Sequence, residues 1–354
     1  MKKWMAFILV LTLLAGMTVP ALGDEGIMIR MGMLSMLNSN PQEYMVYQAA
    51  RGISAAILLK EGYITTDLDN YARSEESRVL TTQDFDSLDA MLMALRAGQL
   101  DVVSIYQNVA SFICASSDDM VMPYRYDTKK ERTTFAEVMF SGILGNDFSF
   151  LMTEENKALR DEFDTAIAAM KEDGTMDRLV EEEIYSVAST GVTTGAVPME
   201  KQEGRETIRV AVTGALPPMD YVEANGLPAG FNTAVLAEIG RRLGKNMELV
   251  VVDSIGRATA LSSGNVDVVF WTRGCQAAEA NRTMSPAELA AQEKAWKNEM
   301  SMEEYTTLSV INSMITFSTY GRMDMPLGTI CTIPYYSDVL VALSTRENLD
   351  RLMK

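Results

Sequence analysis

The sequence predicts an α/β fold in two lobes, each a mostly parallel sheet flanked by helices. Three observations predict it. First, Ala94-Leu95-Arg96-Ala97-Gly98-Gln99-Leu100-Asp101-Val102-Val103 returns as Ala260-Leu261-Ser262-Ser263-Gly264-Asn265-Val266-Asp267-Val268-Val269. Each copy reads as a helix end, a Gly cap and a buried strand. Second, Ile29-Arg30-Met31-Gly32-Met33 and Ile208-Arg209-Val210-Ala211-Val212 open the two halves alike. Third, strand-like and helix-like segments alternate as β-α-β-α-β in each half, the order that builds parallel sheets covered by helices.

Taken in order, residues 27–34 are apolar enough for a buried strand. Residues 41–59 follow as a helix, with Asn40 as N-cap and Pro41 at its first position. The polar stretch 65–77 reads as a loop and 78–82 as a short strand. Ser87 caps a helix over 88–97, and Gly98 stops it before the repeat strand 100–105. A short helix over 108–115 and an irregular charged segment over 120–137 come next, then one strand or a strand pair over 140–152. Leu159, Phe163, Ile167 and Met170 put one apolar stripe on a helix over 158–171. Asp173-Gly174-Thr175 ends it and starts another over 176–184. Residues 189–204, rich in Thr, Gly and Val, form a linker. Beyond it lie a strand over 207–213, a Gly/Pro-rich loop, a helix over 233–243 closed by Gly244, a strand over 247–252, a helix over 255–262 and the second repeat strand over 266–271. A helical insert over 286–298 and strands over 311–317 and 339–343 complete the pattern. The domains expected are 1–23 as signal peptide, 24–188 as the first α/β lobe, 189–206 as linker and 207–354 as the second lobe.

Residues 1–23 carry the features of an export signal: Lys2 and Lys3, an apolar run from Phe7 to Val19, and a small-x-small site at Ala21-Leu22-Gly23. Met17 stands where a lipoprotein box needs its Cys, so no lipid anchor is expected. No later stretch approaches the roughly 20 apolar residues of a membrane span. The formal charge is −17, most of it in the first half. That excess argues against nucleic-acid partners and anionic membrane surfaces. There are three cysteines; Cys275 and Cys331 share a half, and buried free thiols or one bridge are the alternatives. The complete absence of histidine removes the commonest general base, the Ser-His and Cys-His pairs and the commonest zinc ligand. The 26 methionines read as core filling, and Glu181-Glu182-Glu183 as a solvated helix face.

Ile208 to Gly214, Pro217-Pro218-Met219-Asp220-Tyr221, Asn225-Gly226, Gly230-Phe231-Asn232 and Leu261 to Val269 occur in one order at compact spacing. This string resembles the first lobe of the bacterial extracellular solute-binding proteins of family 3, and Pro334-Tyr335-Tyr336 resembles the family's "PYY". Residues 78–184, with Lys171 to Met176 like its "lk.DGt" stretch, resemble the second lobe. The resemblance implies a periplasmic-binding-protein-like clamp with its lobes in permuted order, or else two decayed tandem copies. The chain stops where a first lobe would stop, which favours permutation. It also implies a solute held between strand ends, a carboxylate taken by helix N-termini and an Arg, and an ammonium taken by a carboxylate. The sequence departs from that pattern: counting puts Glu279 where the family has its Arg, between Arg273 and Arg282, and Tyr106 where it has its ammonium-binding Asp. Asn232 replaces the Asp of "GFD".

Trp271, Thr272 and Arg273 end one repeat strand and Tyr106 and Gln107 end the other, where α/β clefts open. They are the leading candidates for ligand contact, against a packed Trp and a solvated Arg. Tyr221 is the candidate covering aromatic, and Thr213 could offer its hydroxyl and amide. Ser35 and Asn38 precede the Pro41 helix and Asp86 lies in a strand-to-helix loop, positions that serve an anion or simple helix support. The expected function is exported, non-enzymatic capture of a small polar or carboxylate-like solute, with no cofactor and no metal, for an ABC permease. The alternatives are a sensory or partner-binding protein that meets a membrane receptor, and, more remotely, a carboxylate-based dehydratase-like enzyme.

Overall fold

The strands of the first half are β1 (Met28–Leu34), β2 (Val79–Phe85), β3 (Val102–Tyr106) and the two-residue β4 (Met120–Val121), followed by β5 (Gly145–Thr153). Its helices are α1 (Leu88–Arg96) and α2 (Gln107–Ser116). A helical stretch then runs through α3 (Lys157–Glu172), α4 (Thr175–Leu179), a π-turn and α5 (Ser186–Thr190). The second half comprises β6 (Thr207–Val212), β7 (Ala215–Leu216), β8 (Asp220–Val222), β9 (Pro228–Ala229), α6 (Phe231–Leu243), β10 (Asn246–Val251), α7 (Gly256–Ser262) and β11 (Val268–Gly274). It closes with β12 (Thr329–Cys331), β13 (Tyr336–Thr345) and α8 (Arg346–Met353). The computed structural model describes residues 28–34, 79–123, 125, 145–199, 201–252, 256–274 and 328–353. The export segment, the helices expected over 41–59 and 286–298 and the strand expected over 311–317 lie outside them, as do Ser35, Asn38 and Cys275. No helix among the described residues is long and apolar enough to cross a membrane.

The fold is α/β, with a mainly parallel sheet flanked by helices. Each half supplies a parallel triad with its first strand in the middle: β2-β1-β3 in one, β10-β6-β11 in the other. An antiparallel fourth strand closes each triad, and it comes from the other half. β13 pairs with β3, and β5 pairs with β11. β5 and β13 also pair with each other, so the sheet is continuous. Residues 336–339 of β13 face β5, and residues 340–343 face β3. The linker expected over 189–206 separates the two triads in sequence, while β5 and α3 lie N-terminal to it and yet sit with the second half. The α3 stripe buries Phe163, Ile167 and Met170, and Arg242 of α6 reaches Asp173 at 2.7 Å. Thr175 first, and then that arginine, hold the Asp173 carboxyl down at about 2.

The repeated phrase encodes one set of hydrogen bonds twice. Gly98 N–H donates to Leu95 O and Gly264 N–H to Leu261 O; Gln99 N–H donates to Ala94 O and Asn265 N–H to Ala260 O. Both glycines hold positive φ, 67° and 70°, where a side chain is strained. The aspartate that follows grips the arginine of the opening strand. Arg30 donates to Asp101 through its N–H at 2.7 Å, Nε at 3.1 Å and Nη2 at 2.9 Å. Arg209 donates to Asp267 at 2.9, 3.2 and 2.8 Å from the same three atoms. The fork locks the entry of the third strand to that of the first, fixing the register of each triad.

The two clamps differ in burial. The Asp101 side chain is 0% exposed and also receives Arg351 of α8, whereas that of Asp267 is 26% exposed. Burial alone would raise the Asp101 carboxyl, but Arg30 and Arg351 together hold it below the ordinary value. Asp101→Asn should therefore cost roughly 3 kcal/mol and Asp267→Asn roughly 1 kcal/mol, measured by urea unfolding. Equal losses would contradict this ranking.

Candidate functional site

The carboxyl ends of β3 and β11 lie beside the β5–β13 seam, and it is at such strand ends that α/β sheets with a change of strand order hold their ligands. The seam is aromatic. Phe148 of β5 lies 4.9 Å from Tyr106, 5.6 Å from Tyr336 and 6.4 Å from Tyr335, centroid to centroid. Tyr335 stacks on Phe150 at 4.8 Å. Tyr335 immediately precedes β13 and Tyr336 opens it; both rings contact Phe148 and Phe231, while their hydroxyls reach different halves. The Tyr335 hydroxyl donates to Asn232 Oδ1 of the second half at 2.9 Å. The Tyr336 hydroxyl accepts from Asn108 Nδ2 of the first half at 2.7 Å.

Two buried carboxylates extend these contacts. Asp220 accepts from Thr213 N–H (3.2 Å), Thr213 Oγ1 (2.8 Å) and Gly214 N–H (2.9 Å) on Oδ2, and from Asn232 Nδ2 (3.2 Å) on Oδ1. It ties the loop after β6 to the start of α6. Asp338 accepts from the backbone and side chain of Asn108, both at 3.1 Å, and from Val339 N–H at 2.7 Å. Gly230 makes the α6 junction feasible. Its φ is 94°, and an added Cβ would lie 2.7 Å from Met219 O. Phe231 and Asn232 N–H donate to Pro218 O and Met219 O across that close approach.

Arg257 is the exception to this pairing. It sits in the first turn of α7, its Nε closed off from solvent and without a hydrogen-bond partner. Nη1 makes one long bond, 3.3 Å, to Phe270 O. Burial lowers its pKa, and Asp220 and Tyr106 are the neighbours that act against that. Tyr106 belongs to the opposite half.

The endings of the two repeat strands converge on one residue. Tyr106 meets Phe148 by ring contact, and Thr272 pairs with Phe148 across the sheet, flanked by Trp271 opposite Ser149 and Arg273 opposite Asp147. Gln107 is buried at the start of α2, where its carbonyl accepts from Ser111. Both Thr213 donors go to Asp220, so they serve the loop. Tyr221 faces the other side of β8 from Asp220, and its buried ring lies by Thr193, Thr194, Glu183 and Glu223. Asp86 is exposed between β2 and α1. Asn108, Asp338 and Arg257 were not anticipated as site residues. A groove of about 510 Å³ between α6 and the linker, lined by Arg178, Val197, Arg205 and Lys245, opens at the amino end of β10, away from the seam.

Residues 208–280 match the family model of bacterial extracellular solute-binding proteins, family 3. The resemblance read from the residues is thus shown for the second triad. No curated protein matches the sequence. Among solved structures, the GluR0 ligand-binding core with L-glutamate is 10% identical, covers 93% of this chain and 92% of its own, and has a TM-score of 0.33. The probable amino-acid ABC transporter extracellular-binding protein YtmK of Bacillus subtilis is 8% identical, with 93% and 91% covered and a TM-score of 0.34. A phosphate-binding protein of a phosphate ABC transporter from Streptococcus pneumoniae is 9% identical, with 93% and 95% covered and a TM-score of 0.30. The ligands in those descriptions are those proteins' own.

Two outcomes test this geometry. Burial pushes the Asp338 carboxyl up to about 6, against its hydrogen bonds from Val339 and Asn108. A raised folded-state pKa means stability fully present below the unfolded value and lost as pH rises through about 6. Moving from pH 7 to pH 5 should therefore add about 1 kcal/mol from this group. Urea titrations should show that increment vanish in Asp338→Asn; an unchanged pH difference would refute the assignment. Gly230→Ala should cost roughly 2–3 kcal/mol, since its backbone conformation is nearly closed to other residues. A thermal melt within a degree of the parent would contradict that.

Proposed function

We propose that the chain is an exported solute-binding clamp that holds a small polar solute between its two lobes, at the carboxyl ends of β3, β6 and β11. The observation that carries this reading is the meeting of both halves at Phe148. Tyr106 arrives from one half by ring contact, and Thr272 stands opposite Phe148 in the register of the other. The lobes are joined by two neighbouring strands, β5 and β13, and a joint of this kind permits hinge closure. The family match to residues 208–280 supports solute binding as the class of function. In this reading the solute is delivered to an ABC permease, residues 1–23 direct export, and the site binds without reacting.

A second reading, a sensor that reports solute capture to a membrane receptor, is favoured by Tyr106. It stands where the resembling family has its ammonium-binding Asp.

Thermal melts with a panel of amino acids, small carboxylates and short peptides check capture. One member should raise the unfolding midpoint, by the equivalent of about 2.7 kcal/mol at 100 times its Kd. The same compound should reduce the radius of gyration in solution scattering. If no member of the panel stabilises the chain, solute capture is refuted.

A further inference from the structure

Arg257 occupies a position built for an apolar side chain. The offset that superposes Ala94-Leu95 on Ala260-Leu261 places Arg257 on Met91, which is fully buried in the first half. At this position the second copy thus carries a partly buried arginine, its Nε closed off from solvent, where the first carries a fully buried thioether. A buried cation is costly unless it is paired and hydrogen-bonded. This one uses a single long bond to a backbone carbonyl, while its Nε makes none. Its neighbouring carboxylate cannot relieve it. Asp220 already accepts four hydrogen bonds, from Thr213, Gly214 and Asn232, and is held in the loop after β6.

A structural arginine would be satisfied in place, as Arg30 and Arg209 are by their three-bond forks with Asp101 and Asp267. Arg257 is left with donors to spare at the mouth of the seam, and Tyr106 of the opposite half is beside it. The planar fork of a guanidinium matches two coplanar oxygens. Its one bond is to the Phe270 carbonyl on its own half, and Tyr106 on the other half is in ring contact with Phe148.

We infer that Arg257 is the anchor for the solute's carboxylate, and that the clamp selects carboxylate-bearing small molecules through it. This rests on the solute-capture reading above. It assigns the anion to a residue that neither the repeated strand endings nor the family motifs single out.

The test uses the full chain, with acetate, succinate, benzoate and L-glutamate, the corresponding amides, and inorganic phosphate as probes. Binding is followed by calorimetry on the parent, Arg257→Lys and Arg257→Met. At least one carboxylate should bind the parent while its amide does not. Arg257→Met should weaken that binding at least about 100-fold, the size expected for two charge-assisted hydrogen bonds, and Arg257→Lys about 10-fold. Without any solute, Arg257→Met should raise the unfolding midpoint, because it removes a partly buried cation whose closed-off Nε has no hydrogen bond and restores the side chain of the first copy. A carboxylate that binds parent and Arg257→Met equally overturns the anchor and leaves the clamp standing. Arg257-dependent binding of phosphate alone overturns the carboxylate class. A lowered midpoint in unliganded Arg257→Met makes the arginine a structural member and overturns the inference. Failure of every probe, together with the wider panel, removes the clamp reading and this inference with it.

Discussion

The antiparallel pairing of β5 with β13 is the constraint on which the rest depends. Each triad has an open edge at its third strand, β3 in one half and β11 in the other. An unpaired edge buried in the middle of a molecule would strand a row of backbone donors and acceptors. Here each edge is closed by a strand from the opposite half, and the two closing strands close each other. Neither half can finish its sheet alone. The same seam carries Tyr335, Tyr336 and Asp338, so it also bonds to the helix starts of both halves, at Asn232 and Asn108.

Much of each triad was legible because its determinants are local or repeated. The Gly98 and Gly264 caps and the Arg–Asp forks are the same contacts made by the same residue types at the same spacing. Finding the phrase twice located the two caps; the forks follow the same repeat but need the arginine of each opening strand, which lies 71 and 58 residues from its aspartate. Ser87 as an N-cap and the stripe of Phe163, Ile167 and Met170 were legible for the same reason: capping and helical period are written within a few residues. The strand exchange was not. β13 meets β3 across more than 200 residues, and an antiparallel strand buried on both faces has no pattern that names its partner.

The site divides along the same line. Tyr106 and Thr272 were read as candidates from their place at the carboxyl ends of parallel strands, and the structure brings both to Phe148. Tyr221 faces away because β8 alternates, and the inward side belongs to Asp220. Asn232 read as a loss against the "GFD" pattern, whereas in the structure it links the Tyr335 hydroxyl to Asp220. Arg257 was missed because a lone arginine in a short helix reads as a solvated face. The signal lay three residues upstream of the recognised phrase, where Met91 and Arg257 are the paired positions. Extending the repeat backward pairs a charged residue with a fully buried one.

That difference between copies bears on how capture would drive closure. Asp220 and Arg257 are neighbours of opposite sign, yet among the described residues only the aspartate has its hydrogen bonds filled. On the proposed reading, closing the lobes carries the Tyr106 half over Arg257 and strips more water from a cation that, among the described residues, makes no ion pair. Closure without an anion then deepens a desolvation cost. With an anion bound, the same movement excludes water from a compensated pair and strengthens it. The ligand therefore stabilises the closed state more than the open one, which is the differential affinity any ligand-driven movement requires. A methionine in that slot, as in the first copy, would close equally well with or without a solute and so could not report that one had arrived.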